Sequence, residues 1–226
     1  MCGRYTHKLT WPKIVALYRL TEPVDPPGEL EPRYNIAPTQ LAPVLRLGKN
    51  GRELVVMRWG LVPGWAKDPS IGNRLINARA ETAADKPSFR AAMRARRCLV
   101  PANGFYEWQK TGKAKQPWWI GMAGGAPFSM AGLWESWRDP ASGGRLETFT
   151  ILTTEANALL APIHERMPAI IDPADYDGWL SGPDYANLLR PHAVASMAAH
   201  PVSSWVNSPA HDDARCAEPI SASTSM

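Results

Sequence analysis

The chain has 226 residues, and 45% of them are apolar, so it can bury a substantial core and is not a disordered polymer. Three cysteines in a chain of this length exclude a disulfide-stapled scaffold and are typical of a reducing compartment. The formal net charge of +4 is too small to indicate a class of partner by itself.

The charge is unevenly distributed along the chain. Residues 67–115 carry 11 basic and 4 acidic side chains, whereas residues 116–226 carry 5 basic and 12 acidic ones. A basic central segment in a nearly neutral protein is typical of a local surface for nucleic-acid phosphates. The alternative for the run at 90–97 is a helix face that is basic because it is solvated.

The predicted elements, in chain order, mix short helices with many short strands. A helix is predicted at 11–20, with Thr10 as its N-cap and Pro12 in its first turn. Strands at 42–47 and 53–59 flank the pair Asn50-Gly51, which is typical of a β-hairpin. Further helices are predicted at 87–97, 155–163 and 174–182. Further strands are predicted at 98–102, 104–109, 117–122, 128–134, 146–153 and 200–206.

Turn signals such as KTGK and DPASGG separate these strands, and regular alternation of strands with helices is absent. The pattern favours an α+β fold, a single domain (1–220) of curved, mainly antiparallel and barrel-like β-sheets decorated with short helices. Residues 221–226 are predicted to be a disordered tail. Without a long apolar run or a secretory signal, we expect a cytoplasmic protein with no membrane contact.

Several common chemistries are excluded by their missing motifs. Dinucleotide-binding and P-loop glycine patterns, CxxC, HExxH and GxSxG do not occur. His164 begins the run HERMP, in which no second histidine follows at a metal-ligand spacing. We therefore expect neither a metal nor a cofactor.

Cys2 has the most distinctive chemistry because of its position. A small second residue permits removal of Met1, which would leave Cys2 with a free α-amine and a thiol. Their ordinary pKa values, about 7.7–8.0 and about 8.5, leave both groups reactive near neutral pH. A 1,2-aminothiol attacks an aldehyde through nitrogen and then closes a thiazolidine ring through sulfur. The alternative is that Cys2 is an incidental second residue.

Six motifs then occur in order: MCGRY (1–5), RYNIAPTQ (33–40), WGLVPGW (59–65), NRLINARAET (73–82), GFYEW (104–108) and HERMP (164–168). Together with Cys at position 2, they resemble the SRAP family of SOS response-associated peptidases, or abasic-site processing proteins. The resemblance extends to the VNSP segment at 206–209. It implies a single α+β domain of curved antiparallel sheets, in agreement with the predicted elements.

The resemblance implies covalent capture of abasic sites in single-stranded DNA during the response to DNA damage. An abasic deoxyribose exposes an aldehyde at C1′, and by the resemblance Cys2 traps it as a reversible thiazolidine crosslink. The implied activity is of the lyase type, with autoproteolytic processing of Met1. The implied partners are abasic single-stranded DNA and replication-fork proteins, for a monomer that joins the nucleoid when bound to DNA.

Three further residues match catalytic positions of the family. By the resemblance, Asn77 orients the α-amine and the sugar, Glu107 is the acid/base carboxylate, and His164 protonates the sugar ring oxygen and supports reversal. A carboxylate and an imidazole suit the proton transfers of imine formation, and burial of Glu107 between two aromatic residues would raise its pKa. Taken singly, Asn77 could cap a turn, Glu107 could face solvent, and His164 could be structural.

Eight residues match DNA-binding positions of the family. They are the phosphate-contacting arginines Arg4, Arg79 and Arg166, the base-packing residues Pro38, Trp65 and Trp108, and the pocket residues Asn35 and Thr153. Two features depart from the family. Ala66 follows Trp65 where some members have a second aromatic residue, and 203–213 contains two acids in a region that is often basic. Cys98 and Cys216 match no motif and are predicted to be structural.

Two alternative functions remain open. The first is a thiol-dependent peptidase, in which Cys2, Glu107 and His164 act on a peptide bond, with a scope that could be limited to the protein's own leader residue. The second is a non-covalent module for single-stranded DNA, whose binding would survive loss of Cys2 and disappear in high salt.

Overall fold

Short strands dominate the computed structural model, which describes residues 2–20 and 30–220. The strands are β1 (Tyr5–His7), β2 (Arg33–Ile36), β3 (Leu41–Gly48), β4 (Gly51–Trp59), β5 (Asn77–Arg79), β6 (Arg97–Ala102), β7 (Gly104–Thr111), β8 (Ala114–Met122), β9 (Phe128–Arg138), β10 (Arg145–Glu155), β11 (Arg166–Pro168), β12 (Ile170–Ile171) and β13 (Met197–Pro201). The helices are α1 (Trp11–Tyr18), α2 (Ala80–Ala83), α3 (Arg90–Ala95) and α4 (Tyr176–Leu180).

Strand β10 closes a five-stranded barrel. The strands run in the order β10-β4-β3-β6-β9, and β9 pairs back onto β10 in antiparallel register from Arg145↔Arg138 to Ile151↔Gly132. The β10–β4 pair is parallel, as is the β10–β5 pair, and the remaining pairs are antiparallel. The prediction of curved, mainly antiparallel, barrel-like sheets is confirmed.

A second sheet, in the order β13-β8-β7-β1-β2, covers one side of the barrel and is antiparallel throughout. Trp59 and Phe149 of the barrel pack in one core cluster with Tyr5 and Phe105 of this sheet. A second cluster joins further side chains of the barrel strands to α1 and α4. Burial of large aromatic side chains contributes about 1.5–3 kcal/mol each, so these two clusters hold the layers together.

The predicted hairpin is confirmed, with its loop one residue earlier than the Asn-Gly pair indicated. Gly48 pairs with Gly51, so Lys49 and Asn50 form the loop. Gly51 has a φ of +122°, a conformation that only glycine adopts easily, and this requirement explains its place after Asn50.

The predicted helix at 155–163 is wrong. Glu155 ends β10, and residues 158–163 form turns instead. The Asn157 side-chain oxygen accepts the backbone N–H groups of Leu159 and Leu160, both at 3.1 Å, which favours a turn. Pro162 lacks an N–H and so cannot extend a helical ladder.

The other differences concern element boundaries. The last strand is β13 at Met197–Pro201, whereas the second half of the predicted strand at 200–206 forms a 3-10 helix, Ser204–Asn207, capped by the Ser203 side chain. Helix α3 ends at Ala95, and α1 ends where Arg19 adopts a left-handed φ of 50°. Thr10 precedes α1 but makes no side-chain capping bond.

Residues 221–226, where a tail is predicted, lie outside the described residues. Within the described ranges, no helix has the length and apolar character needed to span a membrane.

Candidate active site

The four predicted catalytic residues come from four different parts of the fold. Cys2 lies three residues before the start of β1, Asn77 begins β5, Glu107 lies on β7, and His164 lies in the segment between β10 and β11. Strand β1 pairs with β7, which brings Cys2 toward Glu107. The Asn77 side-chain Nδ2 donates to the carbonyl oxygen of Cys2 at 2.8 Å. The fold therefore assembles these side chains at the junction of the barrel and the second sheet.

Cys2 is fully buried, and its Sγ lies 3.8 Å from the carbonyl oxygen of Arg4. Burial, reinforced by the nearby Glu107 carboxylate, raises the pKa of the Cys2 thiol. The sulfur is therefore held as a neutral thiol in this structure.

Glu107 is a buried carboxyl group, with only 2% of the residue exposed. It does not lie on the solvent face of β7, which was the alternative for a carboxylate between two aromatic residues. Burial raises the pKa of Glu107 to about 7. A group with this pKa exchanges protons readily near neutral pH and suits general acid or base catalysis.

His164 faces Glu107, with its Nε2 4.0 Å from the Glu107 Oε2. The backbone N–H of Arg166 donates to His164 Nδ1 at 3.0 Å, and the Arg166 carbonyl oxygen lies 3.3 Å from the same nitrogen. The shorter contact favours a neutral imidazole that carries its proton on Nε2. Burial lowers the pKa of the His164 imidazole. The pair consequently combines a neutral N–H donor with a carboxyl group that is half ionised near pH 7.

Three of the predicted DNA-binding residues hold the segment that follows β13. The Arg4 guanidinium donates to the carbonyl oxygens of Val206 and Asn207 at 2.8 and 3.1 Å. Asn35 lies under the same segment and donates to the Val206 carbonyl at 3.1 Å, while Trp108 Nε1 donates to Asn207 Oδ1 at 2.8 Å. Arg4 also donates to Asn35 Oδ1 at 2.9 Å.

Asp212 fastens this segment to β2. Its carboxylate accepts the backbone N–H groups of Tyr34 and Asn35 at 2.5 and 2.8 Å and pairs with Arg33. Sequence reasoning noted the acids of 203–213 only as a departure from the family and missed this role. The VNSP motif marked the segment, but its partners lie far away in the chain.

The remaining predicted DNA-binding residues differ in their exposure to solvent and in whether another side chain already binds them. Trp65 is 60% exposed beside an open cavity of about 420 Å³. Arg79 is exposed at the end of β5, and Pro38 is half-buried in the turn after β2. Thr153 is fully buried on β10. Arg166 is bound by Glu81, whose two oxygens accept from its guanidinium at 2.8 Å each.

Other predicted features of the site also have a defined place. Ala66 is buried against Val62 and Trp137, so it does not extend the exposed surface of Trp65. Cys98 and Cys216 are buried free thiols. Among residues 2–20 and 30–220, no three His, Cys, Asp or Glu side chains are grouped to hold a metal ion.

The chain is thus a β-rich protein in which a closed barrel and a covering sheet bring a cysteine, an asparagine, a glutamate and a histidine together. The family model described as SOS response associated peptidase (SRAP) matches residues 1–209. The chain belongs to this family.

Similar proteins match over most of their length. The abasic site processing protein YoqW of Bacillus subtilis (strain 168) is 43% identical over 216 residues, covering 92% of this chain and 95% of that protein. The abasic site processing protein HMCES of Gallus gallus is 36% identical, over 85% of this chain and 68% of that protein. A crystal structure of a Bacteroides thetaiotaomicron protein superposes with a TM-score of 0.86 at 29% identity, covering 97% of this chain and all of that one (100%).

Proposed function

We propose that this protein captures abasic sites in single-stranded DNA through a covalent bond to Cys2. The proposal is carried by the meeting of Cys2, Asn77, Glu107 and His164 from separate elements, with Cys2 and Glu107 buried and Asn77 and His164 half-buried. The relatives are named abasic site processing proteins, which supports the same class of substrate.

The proposed chemistry needs no oxidant and no cofactor. After removal of Met1, the α-amine of Cys2 attacks C1′ of the ring-opened deoxyribose, and loss of water gives an imine. The thiol then adds to the imine carbon while its proton passes to nitrogen, which closes the thiazolidine. Because burial favours the neutral thiol, nitrogen reacts first and sulfur second. Hydrolysis through the same intermediates restores the aldehyde and the free protein.

The neighbouring groups fit the proton transfers of this scheme. Glu107, with a pKa raised to about 7, accepts the proton that the α-amine must lose. The Nε2–H of His164 donates to the ring oxygen as the deoxyribose opens. Asn77 holds the carbonyl of Cys2 and so fixes the direction from which the amine attacks.

The DNA strand is proposed to bind by charge and stacking around this site. Arg4 donates only to neutral oxygens among the described residues, so its positive charge is not cancelled by a carboxylate. Together with the exposed Arg79 it can attract flanking phosphates. The exposed indole of Trp65 offers a face for a base, which is worth about 1–3 kcal/mol without sequence preference.

Denaturing gel electrophoresis tests the proposal. Wild-type protein mixed with single-stranded DNA that bears one abasic site should give a slower band that survives heat and denaturant, and DNA without the lesion should not. Cys2→Ser keeps an α-amine but lacks the sulfur, so its band should appear only after reduction of the imine with borohydride. The absence of a wild-type band, or an equally stable band with Cys2→Ala, would contradict the proposal.

Autoproteolytic removal of Met1 is proposed as part of the same activity, because the β1–β7 pairing brings the Glu107 carboxyl group close to Cys2, where it can accept a proton from the attacking thiol. Intact mass after cell-free synthesis without an added methionine aminopeptidase tests this step. Wild-type protein should lose Met1, whereas Glu107→Gln should retain it. Loss of Met1 from both proteins, or from neither, would contradict the step. Replication-fork partners, a monomeric state and a cytoplasmic or nucleoid location stay predictions.

A further inference from the structure

Arg166, two residues after His164, is held by a carboxylate from a different element. Its Nη1 and Nη2 donate to the two carboxylate oxygens of Glu81, at the start of α2, both at 2.8 Å. Nη2 also donates to the carbonyl oxygen of Thr153 on β10 at 2.5 Å. The Arg166 side chain is only 13% exposed. Two parallel bonds to a planar guanidinium fix its orientation as well as its position.

The backbone of Arg166 connects this ion pair to the candidate active site. Its N–H donates to His164 Nδ1 at 3.0 Å, closer than the 3.3 Å between Nδ1 and the Arg166 carbonyl oxygen, and the shorter bond favours a neutral imidazole with its proton on Nε2. Arg166 also begins β11, where it pairs with Glu155 of β10. The side chain and the backbone of this one residue therefore join α2 and β10 to the imidazole.

We propose that Glu81 is a positioning residue for His164, which acts by holding Arg166 so that the Arg166 N–H stays on Nδ1 and the Nε2 proton stays directed at Glu107. The inference rests on the proposed function only for the step in which His164 acts on the sugar. The positioning itself is a property of the free protein and can be measured without DNA.

The geometry allows one competing explanation, in which the ion pair with Glu81 only prevents Arg166 from binding a DNA phosphate. The two explanations predict opposite results for Glu81→Ala. A competitor would leave the reaction rate unchanged and its removal would tighten DNA binding. A positioning residue would leave the affinity largely unchanged and its removal would slow the step that needs His164.

The first experiment measures the imidazole directly. Protein labelled with ¹⁵N at its five histidines is compared with a His164→Gln variant, which identifies the His164 signals. At neutral pH, wild type should show an unprotonated Nδ1 and a protonated Nε2. Glu81→Ala should shift toward a mixture of tautomers, while Glu81→Gln, whose amide oxygen can still accept from Arg166, should resemble wild type. Unchanged His164 signals in Glu81→Ala would overturn the proposal.

The second experiment separates binding from reaction. At saturating abasic DNA, Glu81→Ala should form the crosslink about tenfold more slowly, because small displacements of a catalytic group are costly. Non-covalent affinity is measured in a Cys2→Ala background, where adding Glu81→Ala should change the affinity by less than about twofold relative to Cys2→Ala alone. Glu81→Gln should recover most of the rate. Tighter binding at an unchanged rate, or weaker binding as the only effect, would overturn the proposal.

Glu155→Gln is a matched control for the removal of a carboxylate near Arg166. Glu155 lies opposite Arg166 in the strand pairing and is exposed, and its side chain makes no hydrogen bond among the described residues. Glu155→Gln should therefore behave as wild type.

A second variant covers the case in which Glu81→Ala does not fold. Arg166→Lys keeps the positive charge but loses the two paired bonds to Glu81, and it should show the same tautomer shift and slower rate. If wild-type protein forms no crosslink, the proposed function fails, and the imidazole spectra alone still decide this inference.

Discussion

Asn77 donates its side-chain amide to the carbonyl of Cys2, which lies 75 residues earlier in the chain. The oxygen of the same amide, Asn77 Oδ1, is buried and has no hydrogen-bond partner among the described residues. An unsatisfied buried acceptor costs about 1–3 kcal/mol, and a donor supplied by a bound substrate would recover that cost. Asn77 is thus suited both to hold Cys2 and to accept from its amine or from a sugar hydroxyl.

We predict that Asn77→Asp slows crosslink formation by about 10- to 100-fold, because the carboxylate cannot donate to the Cys2 carbonyl and adds charge beside Glu107. Rates should be measured with abasic single-stranded DNA at several concentrations. The loss should persist at saturation if Asn77 orients a reacting group, as proposed. A loss that saturating DNA restores would assign Asn77 to binding alone.

The pH dependence of crosslinking should report Glu107. Its pKa is raised to about 7 by burial, and the carboxylate form is the one that accepts a proton. The ratio of the wild-type rate to the Glu107→Gln rate should therefore rise with pH through about 7 and then level off. Taking the ratio removes the titration of the α-amine, which both proteins share. A ratio that is flat from pH 5 to 9 would exclude Glu107 as the base.

Two buried groups should give opposite pH dependences to the stability of the fold. Burial lowers the pKa of His7 from 6.5 to about 4, so the folded state loses stability as pH falls through that window. Glu107 is raised from 4.5 to about 7, so the folded state loses stability as pH rises through that window. Each shift corresponds to about 3 kcal/mol, and the two effects largely cancel between pH 4.5 and 6.5.

Urea unfolding of single variants can reveal the cancellation. Relative to wild type, His7→Gln should become less stable as pH rises from 4.5 to 6.5, because only the Glu107 effect remains. Glu107→Gln should become more stable over the same range, because only the His7 effect remains. Two variants whose stabilities run parallel to wild type would show that neither group is titrating as described.

Gly104 allows Trp119 to lie flat across the second sheet. Gly104 pairs with Gly121, and a Cβ at position 104 would overlap the indole of Trp119, which also stacks on His200. Gly104→Ala should lower the free energy of unfolding by about 1–3 kcal/mol. Gly64→Ala is the matched control, because a Cβ there meets no atom within 4 Å and should change stability little. Equal effects of the two substitutions would contradict this account of the packing.

Non-covalent binding to single-stranded DNA should identify which cations contact phosphate. Arg79→Ala, in a Cys2→Ala background, should reduce the slope of log affinity against log salt by about 0.7. Arg94 of α3 is equally exposed and comes from the same basic central segment, so Arg94→Ala tests the idea of a solvated helix face. An equal decrease for both arginines would indicate a diffuse basic surface instead of a defined contact.

The strands bounded by clear turns could be predicted from the sequence, as β3, β4 and β6 to β10 illustrate. Strands β1, β2, β5 and β11 could not, because each has three or four residues and exists only through pairing with a distant partner. Tyr5, for example, pairs with Ile36 and with Phe105. Local propensity carries no information about such pairs, so tertiary contacts determine whether these short segments form strands.

The candidate site follows the same division. Cys2 could be singled out from its position in the sequence. The aromatic neighbours of Glu107 left both burial and a solvent-facing position open, and the structure shows burial. The contacts of Glu81 and Asp212 depend on partners 85 and 179 residues away, so they became visible only in three dimensions. Glu81 does lie inside the NRLINARAET motif, and Asp212 follows VNSP closely. The motifs therefore marked the region of the chain in which these two residues lie, but they did not indicate that Glu81 binds Arg166 or that Asp212 binds Arg33.

The bond from Arg4 to the Val206 carbonyl spans 202 residues and joins the segment before β1 to the segment after β13. During synthesis, Arg4 is therefore made 202 residues before the carbonyl that holds it. Contacts of such long sequence separation form late in folding. A ribosome-bound fragment that stops before Val206 consequently lacks the carbonyl that holds Arg4, so the candidate site is complete only in a chain that has been synthesised through this segment.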